Sequence, residues 1–171
     1  YYARTASSTF INEWYGGVAC EGACETPMGT PIVVTAGATT TNVNFQLASG
    51  ASISGIVIDG GTGHPIVGDG TSVRVELFTL LGSWHSEATA NAAGEYRLDG
   101  LTAGSYRLRT STTGGYIDEQ FNNLICLKSC TPAAGTAVVV ATGGEATNIN
   151  FALIAGGRIS GSVTAASSTA P

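Results

Sequence analysis

Four cysteines are the first residues of this 171-residue chain whose spacing could do chemistry: Cys20 with Cys24, and Cys126 with Cys130. A Cys-x-x-x-Cys pair can be a disulfide, part of a metal site or a redox couple. A tetrahedral metal needs four ligands in one place, and the two pairs lie in separate stretches of chain. Redox couples usually have a two-residue spacer at a helix start, which lowers the thiol pKa, and this sequence shows neither. Two loops of identical spacing, in a chain whose one lysine is Lys128, favour disulfides from Cys20 to Cys24 and from Cys126 to Cys130.

A second constellation lies beside each pair. The segment Thr112 to Gly135 carries Tyr116, Asp118, Glu119 and Phe121, and an earlier stretch carries Phe10, Glu13, Trp14 and Tyr15. Aromatics beside a carboxylate can stack on a sugar ring and accept its hydroxyl bonds, but at this spacing they more often cap the end of a β core. Trp14, Tyr15, Tyr116, Glu119 and Phe121 are therefore the candidate surface-contact residues, toward glycans or neighbouring copies of the chain, with core capping as the favoured reading.

Nothing else makes a reactive set. His64 sits in a Gly-Thr-Gly-His-Pro turn and His85 follows Trp84, and neither has a matched Ser, Cys or carboxylate at nucleophile spacing. Asp118 and Glu119 are adjacent rather than facing across a cleft, which does not support a glycosidase pair. Asp59 and Asp69 flank the turn after a strand, but nothing supplies the six or more oxygens that calcium prefers. No catalytic residue, cofactor or metal ligand is assigned, and the expected role is not enzymatic.

The elements that must position these residues read as β-strands. Charged residues make up 11% of the chain, against roughly 25% in ordinary soluble domains, so Ser, Thr, Asn and Gly carry the solubility. Twenty-four glycines suit tight turns, and abundant threonine suits strands. A net charge of −5 with scattered basic residues argues against nucleic-acid partners. No apolar run approaches the roughly 20 residues of a membrane-spanning helix.

Self-similarity organises the strands. A shift of 106 positions carries Cys20 and Cys24 to Cys126 and Cys130, Glu13 to Glu119, Asn42 to Asn148, Phe45 to Phe151, and Ile53-Ser54-Gly55 to Ile159-Ser160-Gly161. Pro65 lands on Pro171, and before Phe10 the register shifts by one, so that Tyr1, Arg4 and Thr5 match Tyr106, Arg109 and Thr110. Residues 50–155 then make one complete unit, 1–49 the second half of a preceding one, and 156–171 the first strand of a following one. Strand signals run Ser52 to Asp59, Ser72 to Leu80, Ser83 to Ala90, Glu95 to Leu98, Ser105 to Thr110, Ala137 to Ala141 and Thr147 to Leu153. Alternation gives Val73, Val75 and Leu77 one face and Arg74 and Glu76 the other, while Tyr106 and Leu108 oppose Arg107 and Arg109, so one side of the sheet should be dry and one wet. The economical arrangement is an all-β, Ig-like two-sheet sandwich. Seven alternating strands put entry and exit at opposite poles, and the short connections predict an extended rod with about 35–45 Å per unit.

The stretch from Ile53 to Pro65, followed by Gly94-x-Tyr-x-Leu-x-Gly-Leu-x-Ala-Gly-x-Tyr106, resembles the carboxypeptidase regulatory-like domain family. That family is similar to transthyretin and to the B-type repeats of bacterial surface proteins. The resemblance implies a seven-stranded prealbumin-like sandwich, bacterial origin and use as tandem modules of large exported proteins. Two departures matter. Ala90-Asn91-Ala92 replaces the family's frequent Thr-Asp-Ala, and the first strand lacks the lysine that B-type repeats use for an internal isopeptide bond, so that crosslink is not expected. The expected function is a structural unit of an extracellular or cell-surface fibre, stalk or filament, with neighbours stacking or completing one another by strand addition. The alternatives are a carbohydrate-binding accessory module of a secreted enzyme and the shaft of an adhesin.

Overall fold

The computed structural model describes residues 1–20, 24, 28–66, 70–127 and 130–163. Lys128, Asp69 and Pro171 lie outside the described residues. The first 50 residues hold the short pair β1 (Glu13–Trp14) and β2 (Val18–Ala19). The body follows with β3 (Ala51–Asp59), β4 (Val73–Thr79), β5 (Trp84–Thr89), β6 (Glu95–Leu101) and β7 (Gly104–Thr112). Next come β8 (Tyr116–Ile117), β9 (Glu119–Gln120), β10 (Leu124–Ile125), a 3-10 turn at Pro132–Ala134, β11 (Ala137–Val140), β12 (Glu145–Ala146) and β13 (Phe151–Ala155).

Two sheets face each other. One runs β5-β4-β7, with β11 and β9 both on the far edge of β7 and β10 beyond β9. The other is centred on β3, with β6 antiparallel on one side and β12 and β13 parallel on the other; β8 pairs with the far edge of β13. The period-two alternation of β4 and β7 sends Val73, Val75, Leu77, Tyr106 and Leu108 inward to meet Ile53, Val57, Leu98, Phe151 and Leu153 from the opposing sheet. Burying each such side chain contributes about 1.5–3 kcal/mol, which makes this shared interior the main source of stability.

The strand expected from Thr147 to Leu153 starts only at Phe151, in β13, and β12 ends before it, at Ala146. Asn148 takes φ 60°, a left-handed conformation that asparagine tolerates and that interrupts a ladder. The backbone there presses on β3, where a Cβ at Gly55 would collide with the carbonyl of Ile149. This close approach explains the glycine of the Ile-Ser-Gly motif. Asn150 completes the crossing, its Oδ1 accepting the Ile56 N–H at 3.0 Å.

Because β13 runs parallel to β3, pairing Phe151 with Val57 and Leu153 with Asp59, the chain leaves at the pole opposite its entry at Ala51. Nine residues of β3 span about 30 Å between those poles.

The N-terminal segment repeats local geometry of the body. Glu13 pairs with Ala19 and Trp14 with Val18, as Glu119 pairs with Ile125 and Gln120 with Leu124. The turns between them take positive φ at Gly16 and Gly17 in the first case and at Asn122 and Asn123 in the second. Tyr1 and Ile32 exchange backbone hydrogen bonds where Tyr106 pairs with Val138. Tyr1 is 83% exposed, whereas Tyr106, roofed by the second sheet, is 5% exposed.

Candidate functional site: a cysteine loop laid over a sheet

The segment from Thr112 to Gly135 carries the second cysteine pair and three of the five candidate contact residues. It contains β8, β9, β10 and the 3-10 turn, and its distal part lies across the outer face of the β4–β7 sheet. Arg107 donates through Nε to the Gly135 carbonyl at 2.7 Å and through a second nitrogen to the carbonyl of Leu80. Arg109 donates two bonds to Glu76 Oε2, at 2.9 and 2.6 Å, and reaches the Cys130 carbonyl at 3.4 Å. Its guanidinium also sits 5.1 Å from the centre of the Phe78 ring. Phe78 is on the outer side of β4 yet only 5% exposed. The face that alternation marks as wet is therefore partly covered, because the arginines that oppose Tyr106 and Leu108 hold the cysteine loop by its carbonyls.

Cys126 and Cys130 are joined as a disulfide with Cα atoms 5.2 Å apart, and Cys20 and Cys24 likewise at 5.4 Å. In each copy the first cysteine donates its N–H to the residue eight positions earlier, Cys20 to Asn12 at 2.7 Å and Cys126 to Asp118 at 2.8 Å. Each bridge thus closes its loop against the same short hairpin.

Two of the five candidate contact residues point the other way. Glu119 is 4% exposed and Trp14 is 8% exposed, so neither offers its side chain to a large ligand. Glu119 Oε1 accepts the Ala152 N–H at 3.1 Å, while its own N–H donates to Thr110 Oγ1 at 2.9 Å. The same set recurs in the first segment, where Glu13 Oε1 accepts the Gln46 N–H and the Glu13 N–H donates to Thr5 Oγ1. The aromatics follow suit. Tyr15 meets Phe45 edge-on at 6.0 Å, and Phe121 meets Phe151 edge-on at 6.2 Å. Tyr116 is half-buried and donates its hydroxyl to Asp59 Oδ2 at 2.7 Å. Burial pushes the carboxyls of Asp118 and Glu119 above their ordinary values; hydrogen bonds from Thr112 and Thr110 oppose the shift at Asp118, and the Ala152 N–H opposes it at Glu119.

The remaining polar candidates are occupied or scattered. Asp59 spends Oδ1 on the N–H groups of Gly61 and Thr62, which closes the turn after β3 and leaves little of it for a cation. His64 sits in that same turn, and His85 packs edge-on against Tyr106 at 5.4 Å. Among the described residues, no three His, Cys, Asp or Glu side chains come together. Sequence reasoning missed the exposed cluster in which Arg97 bonds Asp99, Glu145 and Ser52. It also missed an open groove of about 580 Å³ lined by Ile56, Asn91, Glu95, Arg97, Asn148 and Asn150. Neither had a signal in the sequence, since both join residues from three or more separate segments.

The body is a two-sheet sandwich whose last strand runs parallel to its first, with a disulfide-closed loop pinned to one outer face. Residues 52–154 match the sequence model of the carboxypeptidase regulatory-like domain, and the chain belongs to that family. No curated protein matches it. Among solved structures it is similar to that of GBS52, a minor pilin of the gram-positive pathogen Streptococcus agalactiae. The two are 19% identical with a TM-score of 0.41, and the match covers 67% of this chain and 48% of the pilin chain.

Proposed function

We propose that this chain is a non-catalytic structural unit from a tandem array in an extracellular bacterial fibre, stalk or surface filament. The observation that carries the reading is the parallel pairing of β13 with β3, which sends the chain in at one pole and out at the other. Units joined in that way add length, whereas entry and exit at one pole would fold successive units back on each other. In this reading residues 1–49 are the second half of a preceding unit, 50–155 a complete one, and 156–171 the opening of the next. The recurrence of the Glu13 and Glu119 hydrogen bonds supports it. So does the disulfide pair, which suits an oxidising, exported setting. The aromatic residues that a sugar platform would need pack instead on Phe45, Phe151 and Asp59, which favours the structural reading over a carbohydrate-binding one.

The test is imaging of the full-length protein by negative stain. Beaded rods with a spacing of about 35–45 Å are expected from strand length plus loops. Compact particles with clustered units would overturn the reading.

A further inference from the structure

Residue 50 marks a junction whose geometry is already filled. The Gly50 N–H donates to the Thr9 carbonyl at 3.1 Å, and Phe10 bridges to Ser49. This closed strand end rests directly on Gly100, at the end of β6. A Cβ at Gly50 would collide with the Gly100 Cα and stand 2.8 Å from the Thr9 oxygen. Gly100 itself has φ 70°, and a Cβ there would stand 3.2 Å from the Phe10 oxygen and 3.4 Å from that of Ser8. Two glycines thus let two backbones touch where any side chain would hold them apart. Beside the contact, a cavity of about 160 Å³ has Ser7, Asn12 and Cys20 on one wall and His85, Asp99 and Thr102 on the other. The cysteine loop of the first segment therefore borders the junction.

The same strand end exists at the far pole of the body. The Gly156 N–H donates to the Gly115 carbonyl at 2.7 Å, Tyr116 pairs with Ala155, and Cys126 again closes onto Asp118. Gly115 is exposed there. Connectivity says what would cover it. Within the body Ala51, the residue after Gly50, pairs with Leu101, the residue after Gly100. A unit whose first strand starts directly after Gly156 must bring its own copy of that turn back to Gly156 by the same pairing. Ile159-Ser160-Gly161 repeats Ile53-Ser54-Gly55, so this chain continues with the sequence of such a strand.

We infer that the surface formed by Gly115, Tyr116 and Gly156 is the docking seat for a second copy of this repeat, with Cys126 taking the place at its edge that Cys20 holds at the first junction. That copy enters on its equivalent of Asp99-Gly100-Leu101. The inference rests on the tandem reading above and adds to it a fixed angle between units, set by backbone contact between glycines and not by linker stiffness. Docking carries away the Arg158 guanidinium, which lies over Gly115 in this structure.

The experiment extends the chain by placing a second copy of residues 53–156 after Arg158, then compares amide hydrogen exchange with the 171-residue chain. Protection at 113–117 and 155–157 is expected to rise at least about tenfold when the added copy folds. Gly156→Val should return it to the level of the shorter chain while both copies still unfold cooperatively. If both copies fold and the exchange at these segments is unchanged, the docking seat is wrong although the tandem reading stands. If the added copy does not fold, the tandem reading fails, and the seat with it. Replacing Cys126 and Cys130 by serine in the extended chain should lower the protection gain; an unchanged gain removes the loop from the seat.

Discussion

Glu119 reaches past its own hairpin to accept the backbone N–H of Ala152 at 3.1 Å, tying the cysteine-loop segment to the last strand. A buried carboxylate with a main-chain donor is a structural device. Glu119→Ala removes the acceptor of the part-buried bond from the Ala152 N–H and should cost about 0.5–1.5 kcal/mol. Glu119→Gln keeps an acceptor and should cost less. Urea unfolding of the two variants checks the order, and equal stability of Ala and Gln would show that the bond contributes nothing.

Stability should also depend on pH through the same residue. Burial raises the carboxyl pKa of Glu119 and of Asp118 above the unfolded values of 4.5 and 3.8. The stability gained from protonating them in the fold is present in full below those values and is lost as pH rises through the folded pKa. Asp59 and Glu145 act in the opposite sense. The Tyr116 hydroxyl lowers Asp59 and Arg97 lowers Glu145, so their contribution is present above the unfolded pKa and lost as pH falls, though solvent screens these exposed groups. The Glu119→Gln variant isolates the first effect. Its Tm minus that of the parent should increase from pH 4 to pH 7, and a decrease would contradict the burial.

Opening the Cys126–Cys130 bridge, by serine substitution of both residues, should cost only about 2 kcal/mol, because the closed loop is short. The loop is also held by Arg109 and Arg107, so the two sheets should persist. Thermal unfolding with far-ultraviolet circular dichroism tests this: a lowered Tm with an unchanged native spectrum is expected, and a lost native spectrum would give the bridge a larger role.

Gly55→Ala inserts a methyl group into the Ile149 carbonyl, where backbone and not a flexible side chain must move. The crossing of the 147–150 segment over β3 should open at a cost of about 1–3 kcal/mol or more. Gly63→Ala, in a turn with nothing within reach of a Cβ but φ 73°, should cost about 1 kcal/mol through the backbone alone. Chemical denaturation of the pair measures the difference.

Most of the strand plan was legible in the sequence, since Val73, Val75 and Leu77 alternate with Arg74 and Glu76, and strand geometry converts that period directly into two faces. The self-similarity at a shift of 106 was legible too, because identical residues at a fixed spacing need no structure to be counted. The break at Asn148 was not, since Thr147 to Leu153 reads as a continuous strand until the backbone of Ile149 is found pressed on Gly55, almost a hundred residues away.

The candidate site divides in the same way. Sequence alone placed a cysteine pair, a glutamate and aromatics in one segment, and it determined that this segment recurs. Only the tertiary structure decided that Glu119 turns inward to Ala152, that Phe121 seats on Phe151, and that Arg107 and Arg109 hold the carbonyls of Gly135 and Cys130, with Arg109 over the Phe78 ring. The reason is physical. Side-chain type and local period set which groups prefer to leave water, but the partner that satisfies a buried carboxylate or carbonyl comes from a distant strand, and its position is fixed only when the two sheets close.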